Sequence, residues 1–119
     1  MLLKMMEPDF IFENESGCLV QLVREGWNQV NVICSAAGSK RGGHYHKINK
    51  EGFYVISGRF RLLLEEDGVT EQYELKAGDM FRIEPYQKHF FEYMEDTVLV
   101  SMYDKGVELP RDLKDIYTE

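Results

Sequence analysis

The chain has 119 residues, 44% of them apolar, two cysteines, three histidines and a formal net charge of −7. That length and composition support one hydrophobic core without disulfide staples, so a single domain over 1–119 is expected, with its body at about 28–104. The acidic balance argues against nucleic acid and anionic lipid surfaces, both of which are held by clustered Lys and Arg. No apolar run approaches the ~20 residues that span a membrane. A small-molecule ligand or substrate is the remaining class of partner.

In chain order, Met1 to Phe10 carries Met and Leu but is interrupted by Lys4, Glu7, Pro8 and Asp9. It has no small-residue cleavage site, which predicts a cytoplasmic protein rather than a secreted one. From there on, short runs rich in Val, Ile, Phe, Tyr and Leu are separated by Gly, Asn and Asp at spacings of about 8 to 12 residues, the pattern of an all-β sandwich or barrel. Strands are predicted over 9–13, 19–24, 28–36, 44–46, 53–57, 59–65, 70–75, 80–83, 89–94 and 98–103. Ser57-Gly58 and Asp67-Gly68 supply tight turns, and Pro85 ends the strand that carries Phe81 and Ile83. Cys18 and Cys34 lie in apolar alternating segments and read as buried, reduced thiols. After Pro110, Arg111 to Tyr117 predicts a short amphipathic helix with Leu113, Ile116 and Tyr117 on one face, packed as a lid or a dimer contact.

The chemistry concentrates in the histidines. His44 and His46 are two apart, so on a strand their imidazoles project from one face, about 7 Å apart at the per-residue rise of a strand, while Tyr45 projects from the other. Glu51 lies an odd number of positions beyond His46. It reaches the same face only if Lys47 to Lys50, with Asn49 as a turn residue, break the strand. His89 arrives by tertiary folding. Three imidazoles and one carboxylate form a ligand set for a divalent transition metal such as iron, manganese, nickel or zinc.

These residues complete a longer pattern. Gly38, His44, His46, Glu51 and Gly58 stand at the fixed positions of the first cupin motif, and Gly78, Pro85 and His89 follow its looser second motif. Tyr86 replaces a usual Gly there, and Tyr93 a frequent Asn. The chain therefore resembles the cupin superfamily. The resemblance implies a double-stranded β-helix, or jelly roll, with metal ligands at His44, His46, Glu51 and His89, and a homodimer that shares edge strands. A narrower likeness concerns Arg41-Gly42-Gly43-His44-Tyr45-His46-Lys47, which is similar to a segment of cupins that isomerise or epimerise nucleotide-linked keto sugars. Those enzymes are thought to use the His pair as acid and base without a metal.

Three readings follow. In the first, a metal-binding cupin acts on a small polar metabolite through a Lewis-acid or oxygen-activating centre. Tyr86 and Tyr93 flank His89 and could donate to the substrate, and Phe53, Val55 and Phe91 line an apolar pocket. In the second, His44 and His46 carry out proton transfer on a nucleotide-linked keto sugar, with Arg41 and Lys47 as candidate phosphate holders. Lys40, Lys47 and Lys50 are also explained as a solvated loop. The third is a non-catalytic metal- or sugar-binding module.

Overall fold

Phe60, Leu62 and Leu64 alternate with Arg59, Arg61 and Leu63. In the computed structural model of the chain, which describes residues 1–118, the first three are fully buried while Arg59 and Arg61 face solvent. This period of two marks a strand with one wet face. Eleven strands are found among the described residues: β1 Lys4–Met6, β2 Phe10–Asn14, β3 Gly17–Gln21, β4 Gln29–Ser35, β5 Lys40–His44, β6 Glu51–Ser57, β7 Arg59–Glu66, β8 Val69–Lys76, β9 Met80–Ile83, β10 Lys88–Tyr93 and β11 Thr97–Tyr103. They build a five-stranded sheet in the order β1-β9-β6-β11-β4 and a four-stranded sheet in the order β5-β10-β7-β8, while β2 and β3 form a separate hairpin. Every pairing is antiparallel.

The two larger sheets face each other over one core. Phe53, Val55, Phe81, Ile83 and Leu99 from the first meet Phe60, Leu62, Leu64, Leu75, Phe91 and Tyr93 from the second. Phe53 bridges the layers, stacking on Phe81 with ring centroids 4.9 Å apart and leaning on Phe91 at 5.3 Å. Burying one such ring contributes roughly 1.5–3 kcal/mol, so this aromatic seam is a main hydrophobic tie between the sheets. The architecture is a jelly-roll β barrel, as the sequence predicts.

The turns follow the expected chemistry. Asp67 and Gly68 both take left-handed φ values, +50° and +79°, and close the β7–β8 hairpin. β1 is an element the sequence reading did not anticipate. It adds to the edge of the first sheet through β9 and seats Leu3 in the core.

Two expectations are corrected. Residues 111–117 do not form a helix: a single 3-10 turn covers Pro110–Asp112, and Arg111 within it is left-handed at φ +66°. The tail continues extended, bridging Tyr45 through Tyr117 and folding back through Glu108 and Lys114. Leu113 and Ile116 are exposed while Asp115 between them is buried, so a buried polar anchor overrides the apolar periodicity. Cys18 and Cys34 are free, but both are exposed. On β4 the inward parity belongs to Asn31, Ile33 and Ser35, which leaves Cys34 outside with Val30 and Val32. The first two predicted strands, which lie outside the expected body at about 28–104, pair only with each other as β2 and β3. Among the described residues no helix is long and apolar enough to cross a membrane.

Candidate active site

β5 runs antiparallel to β10 with His44 opposite His89, and their ring centroids lie 4.4 Å apart. Between His89 and Phe90 the register slips, because Gly43 is an extra residue on β5. Gly42 lies over the His89 carbonyl with φ +111°, and a Cβ there would collide with the carbonyl oxygen. The Gly42-Gly43 pair thus brings the two histidine-bearing backbones into close approach.

β5 ends at His44, earlier than the predicted strand over 44–46. Tyr45 then exchanges two backbone hydrogen bonds with Tyr117, and His46 turns inward with its ring 5.3 Å from both His44 and His89. Lys47 to Lys50 leave the strand, and Glu51 opens β6 on the opposite sheet, between Ile83 and Tyr103. The four residues therefore meet between the sheets. His46, Glu51 and His89 are each less than 5% exposed.

The hydrogen bonds orient these groups. Carbonyl oxygens only accept, so the His46 Nδ1–H donates to Asp115 at 2.6 Å and the His89 Nδ1–H donates to Gln87 at 3.1 Å. Both Nε2 atoms are thereby turned toward Glu51 Oε1, at 3.0 Å from His46 and 3.7 Å from His89. Ser101 Oγ donates to the other carboxylate oxygen at 2.6 Å. His89 Nε2 is buried with no hydrogen-bond partner among the described residues.

Charge separates the imidazoles. Burial resists the charge on His46, but the hydrogen bond and the negative charge of Glu51, helped by Asp115, outweigh it and raise its pKa above the ordinary 6.5. His44 moves the other way, lowered by burial and then by the positive charge of His46. Burial pushes His89 down to about 4, against the pull of Glu51. Glu51 itself ends below its usual range: burial opposes ionisation, but the His46 hydrogen bond, the neighbouring imidazoles and Ser101 prevail. The shifts favour the charged forms of Glu51 and His46 and the neutral forms of His44 and His89.

A cavity of about 500 Å³ opens onto this group, lined by His44, Glu51, His89, Phe53, Phe91, Tyr93, Tyr103, Lys40 and Arg41 among others. Of the predicted pocket residues, Phe53, Phe91, Tyr93 and Arg41 line it. Arg41 is steadied by its Nε donating to Ser35 Oγ at 2.9 Å. Val55 is packed in the core. Tyr86 lies outside this cavity. It is 57% exposed, takes φ +69° and stacks on Tyr45 over a separate hollow that also includes Glu66, Asp67 and Lys88. Lys47 likewise sits over the Tyr117 ring, 4.2 Å from its centroid.

Sequence reasoning missed Ser101, Tyr103 and Asp115. Ser101 and Tyr103 share the inward parity of β11 with Thr97 and Leu99, and two polar groups on a core-facing stripe were a legible signal. Tyr103 packs edge-on against His46 with centroids 5.2 Å apart. Burial, and then the negative charge of Glu51, raise its hydroxyl pKa strongly. Asp115 carried no local signal.

A family model described as the cupin domain matches residues 31–103, more than half of the chain. The chain belongs to the cupin family. Sequence comparison with curated proteins finds no match. Among solved structures, this cupin is similar to the sugar 3,4-ketoisomerase QdtA from Thermoanaerobacterium thermosaccharolyticum in complex with TDP. The TM-score is 0.80 at 16% identity, over 99% of this chain and 88% of QdtA. It is similar to dTDP-4-dehydrorhamnose 3,5-epimerase from Bacillus anthracis, with a TM-score of 0.69 at 21% identity over 86% and 71% of the two chains. It also resembles the capsular polysaccharide assembling protein CapF from Staphylococcus aureus, with a TM-score of 0.68 at 19% identity, over 91% of this chain but only 33% of that one. At these identities the likeness is one of fold.

The donor set of this cupin also suits a metal. Nitrogen atoms of His44, His46 and His89 lie within 4.8 Å of one another. Backbone carbonyls fix two of the rings through Nδ1, the outer-sphere arrangement usual for metal-binding imidazoles. The orphaned His89 Nε2 is an open donor at the centre.

Proposed function

We propose that this cupin isomerises or epimerises a nucleotide-linked keto sugar, with His44 as base and His46 as acid. The observation that carries the reading is a pair of imidazoles 5.3 Å apart, His44 lining the cavity and His46 buried directly behind it against Glu51, whose surroundings push their pKa values in opposite directions. Neighbouring titratable groups whose environments drive their pKa values apart are suited to acid and base roles in one reaction. Neutral His44 accepts the C–H proton beside the ketone, the C–H electrons form a carbon–carbon double bond, and the carbonyl π electrons move onto oxygen. The His46 Nε2–H, released from Glu51, supplies a proton to that oxygen, giving an enediol. Return of a proton to the former carbonyl carbon, with loss of the proton from the hydroxyl on the carbon first deprotonated, transposes the ketone; return to the original carbon from the other face, with loss of the proton from the former carbonyl oxygen, inverts it.

The surroundings support this chemistry. Glu51, held by Ser101, stabilises the imidazolium of His46. Tyr93 and Tyr103, with raised pKa values, remain hydroxyl donors along the cavity wall. Phe53 and Phe91 give an apolar face for a deoxysugar. Arg41 and Lys40 stand at the same cavity as candidate partners for a nucleotide diphosphate. The structural neighbours include a sugar ketoisomerase in complex with TDP and a dTDP-sugar epimerase, which agrees with the substrate class. The test is product analysis by NMR after incubation with TDP-4-keto-6-deoxyglucose and related TDP-keto sugars. A transposed ketone or inverted carbon that disappears in His44→Asn and His46→Asn supports the reading, and an unchanged panel overturns it.

The open Nε2 of His89 favours a second reading. His44, His46, His89 and Glu51 would hold a divalent transition metal, supplying Lewis-acid or oxygen-activating chemistry. Elemental analysis decides it: one ion per chain, lost in His89→Ala, supports this reading, and metal-free protein with full activity removes it.

A homodimer fits the same picture. Phe10, Ile11, Phe12 and Leu19 are exposed on the β2–β3 hairpin, as are Val30 and Val32 on the outer face of the edge strand β4. A lone hairpin is marginal in water, and an apolar edge calls for cover. The exposed free thiols of Cys18 and Cys34 suit a reducing, cytoplasmic setting.

A further inference from the structure

The C-terminal tail reaches the acid–base pair through one residue. Asp115 is completely buried, 69 positions from His46, and makes two different kinds of contact there. Its backbone carbonyl accepts the His46 Nδ1–H at 2.6 Å. Its carboxylate gathers the loop between His46 and Glu51: Oδ1 accepts Lys47 N–H at 2.9 Å, and Oδ2 accepts Ile48 N–H and Asn49 N–H, both at 3.0 Å, and Asn49 Nδ2 at 2.9 Å.

Asn49 ties the knot from the other side. Also completely buried, it donates to the Gly106 carbonyl and accepts from Lys105 and Gly106 backbone N–H groups. The Asp115 N–H in turn donates to Val107 at 2.8 Å. The loop that links acid to counter-ion is therefore fixed to the tail at successive amides, and rotation of the His46 ring breaks its bond to the Asp115 carbonyl. A surface tail whose only task was to cover the barrel would bury apolar side chains. This one exposes Leu113 and Ile116 and buries a carboxylate.

We propose that Asp115 is a positioning residue: through its carbonyl it sets the ring orientation of His46, and through its carboxylate it sets the His46–Glu51 separation. It does not touch the cavity and takes no proton in the reaction. Misplacing a reacting group by about 1 Å costs on the order of 10²-fold in rate, so loss of the anchor is read in turnover rather than in substrate binding. The activity arm rests on the keto-sugar reading, but the spectroscopic arm does not.

The test compares Asp115→Ala and Asp115→Asn with Tyr117→Ala, which disturbs the same tail but retains the backbone bonds to Tyr45. In the wild-type protein the buried His46 Nδ1–H is expected to give a slowly exchanging downfield proton resonance, correlated to its imidazole nitrogen. The proposal expects that resonance to vanish or exchange rapidly in both Asp115 variants and to persist in Tyr117→Ala. With a turned-over sugar in hand, it also expects kcat to fall about 10²-fold, with KM changing by less than about threefold. Asn places an NH2 group against at least one loop N–H, so if Asp115→Ala does not fold, Asp115→Asn decides by the same two readings. A protected Nδ1–H in a folded Asp115 variant overturns the proposal, as does loss of the signal to the same degree in Tyr117→Ala. If the wild-type protein turns over no sugar, the proton resonance alone decides for Asp115, and only the function assigned above fails.

Discussion

His46 Nε2 lies 3.0 Å from Glu51 Oε1, with both side chains almost wholly buried and the other His46 nitrogen committed to the Asp115 carbonyl. An imidazole placed between two acceptors is held protonated, and a carboxylate beside it is held ionised. That ion pair gives one histidine of the cluster a proton to donate, while His44 beside it stays free to accept one.

Replacing Glu51 tests the pair directly. Glu51→Ala leaves Ser101 and a buried imidazolium without their acceptor, and breaking a buried pair in this way costs about 3–5 kcal/mol. Glu51→Gln keeps the shape but removes the counter-charge. We expect it to unfold at lower denaturant than wild type and to lose roughly 10²–10⁴ in turnover, the usual contribution of a positioned acid or base. Urea unfolding and NMR turnover measurements check both.

Stability should peak near neutrality. His44 and His89 have folded pKa values below the ordinary 6.5, His89 at about 4, so each contributes stability that is present above 6.5 and lost as pH falls through its lowered value. Glu51, lowered from 4.5, contributes in the same sense at more acid pH. His46 is raised, so its contribution is complete below 6.5 and lost as pH rises through its folded value. Thermal melts of metal-stripped protein should therefore give a maximum close to pH 6.5. His89→Asn should flatten the acid limb between about 4 and 6.5, and an unchanged limb contradicts the assignment.

Gly42→Ala should damage the site from a position with no chemistry. The added Cβ meets the His89 carbonyl, and φ +111° already disfavours it. Comparable strain costs of order 1–3 kcal/mol, and relief requires β5 to move away from β10, separating His44 from His89. Gly26→Ala, also at positive φ but with open space around it, serves as the control for backbone strain alone. Denaturation and turnover of the two variants should differ, with only Gly42→Ala losing activity beyond its loss of stability.

Much of this arrangement was legible in the sequence. The apolar run over 59–65, alternating at Arg59 to Leu62, and the Asp67-Gly68 turn marked the hairpin of the second sheet, and His-x-His with His89 marked the histidine cluster. What escaped was governed by contacts between distant residues. Asp115 is buried because four hydrogen bonds across 66 to 68 positions satisfy its carboxylate, and no local pattern encodes that. Val30, Val32 and Cys34 make up the apolar parity of β4, while the other carries Gln29, Asn31 and Ser35 around Ile33, so alternation alone points to the wrong face. Tyr86 follows Pro85 into a positive-φ turn, which sends its ring outward despite its closeness in sequence to His89.

The hairpin should be buried by association. Phe10, Phe12 and Leu19 share one face, since Phe12 pairs with Leu19, while Ile11 and Val20 share the other. Light scattering on the purified chain should give twice the monomer mass, and Phe12→Asp combined with Ile11→Asp should give monomer. A monodisperse monomer at micromolar wild-type concentration contradicts this expectation.

The most direct test of the central claim is solvent proton exchange at the substrate. Chelator-treated protein is incubated in D2O with TDP-4-keto-6-deoxyglucose, and deuterium at the carbons beside the ketone is followed by NMR against protein-free solution. The account predicts catalysed incorporation that is lost in His44→Asn and His46→Asn. Incorporation no faster than in protein-free solution, or incorporation that returns only when a transition metal is added back, contradicts it.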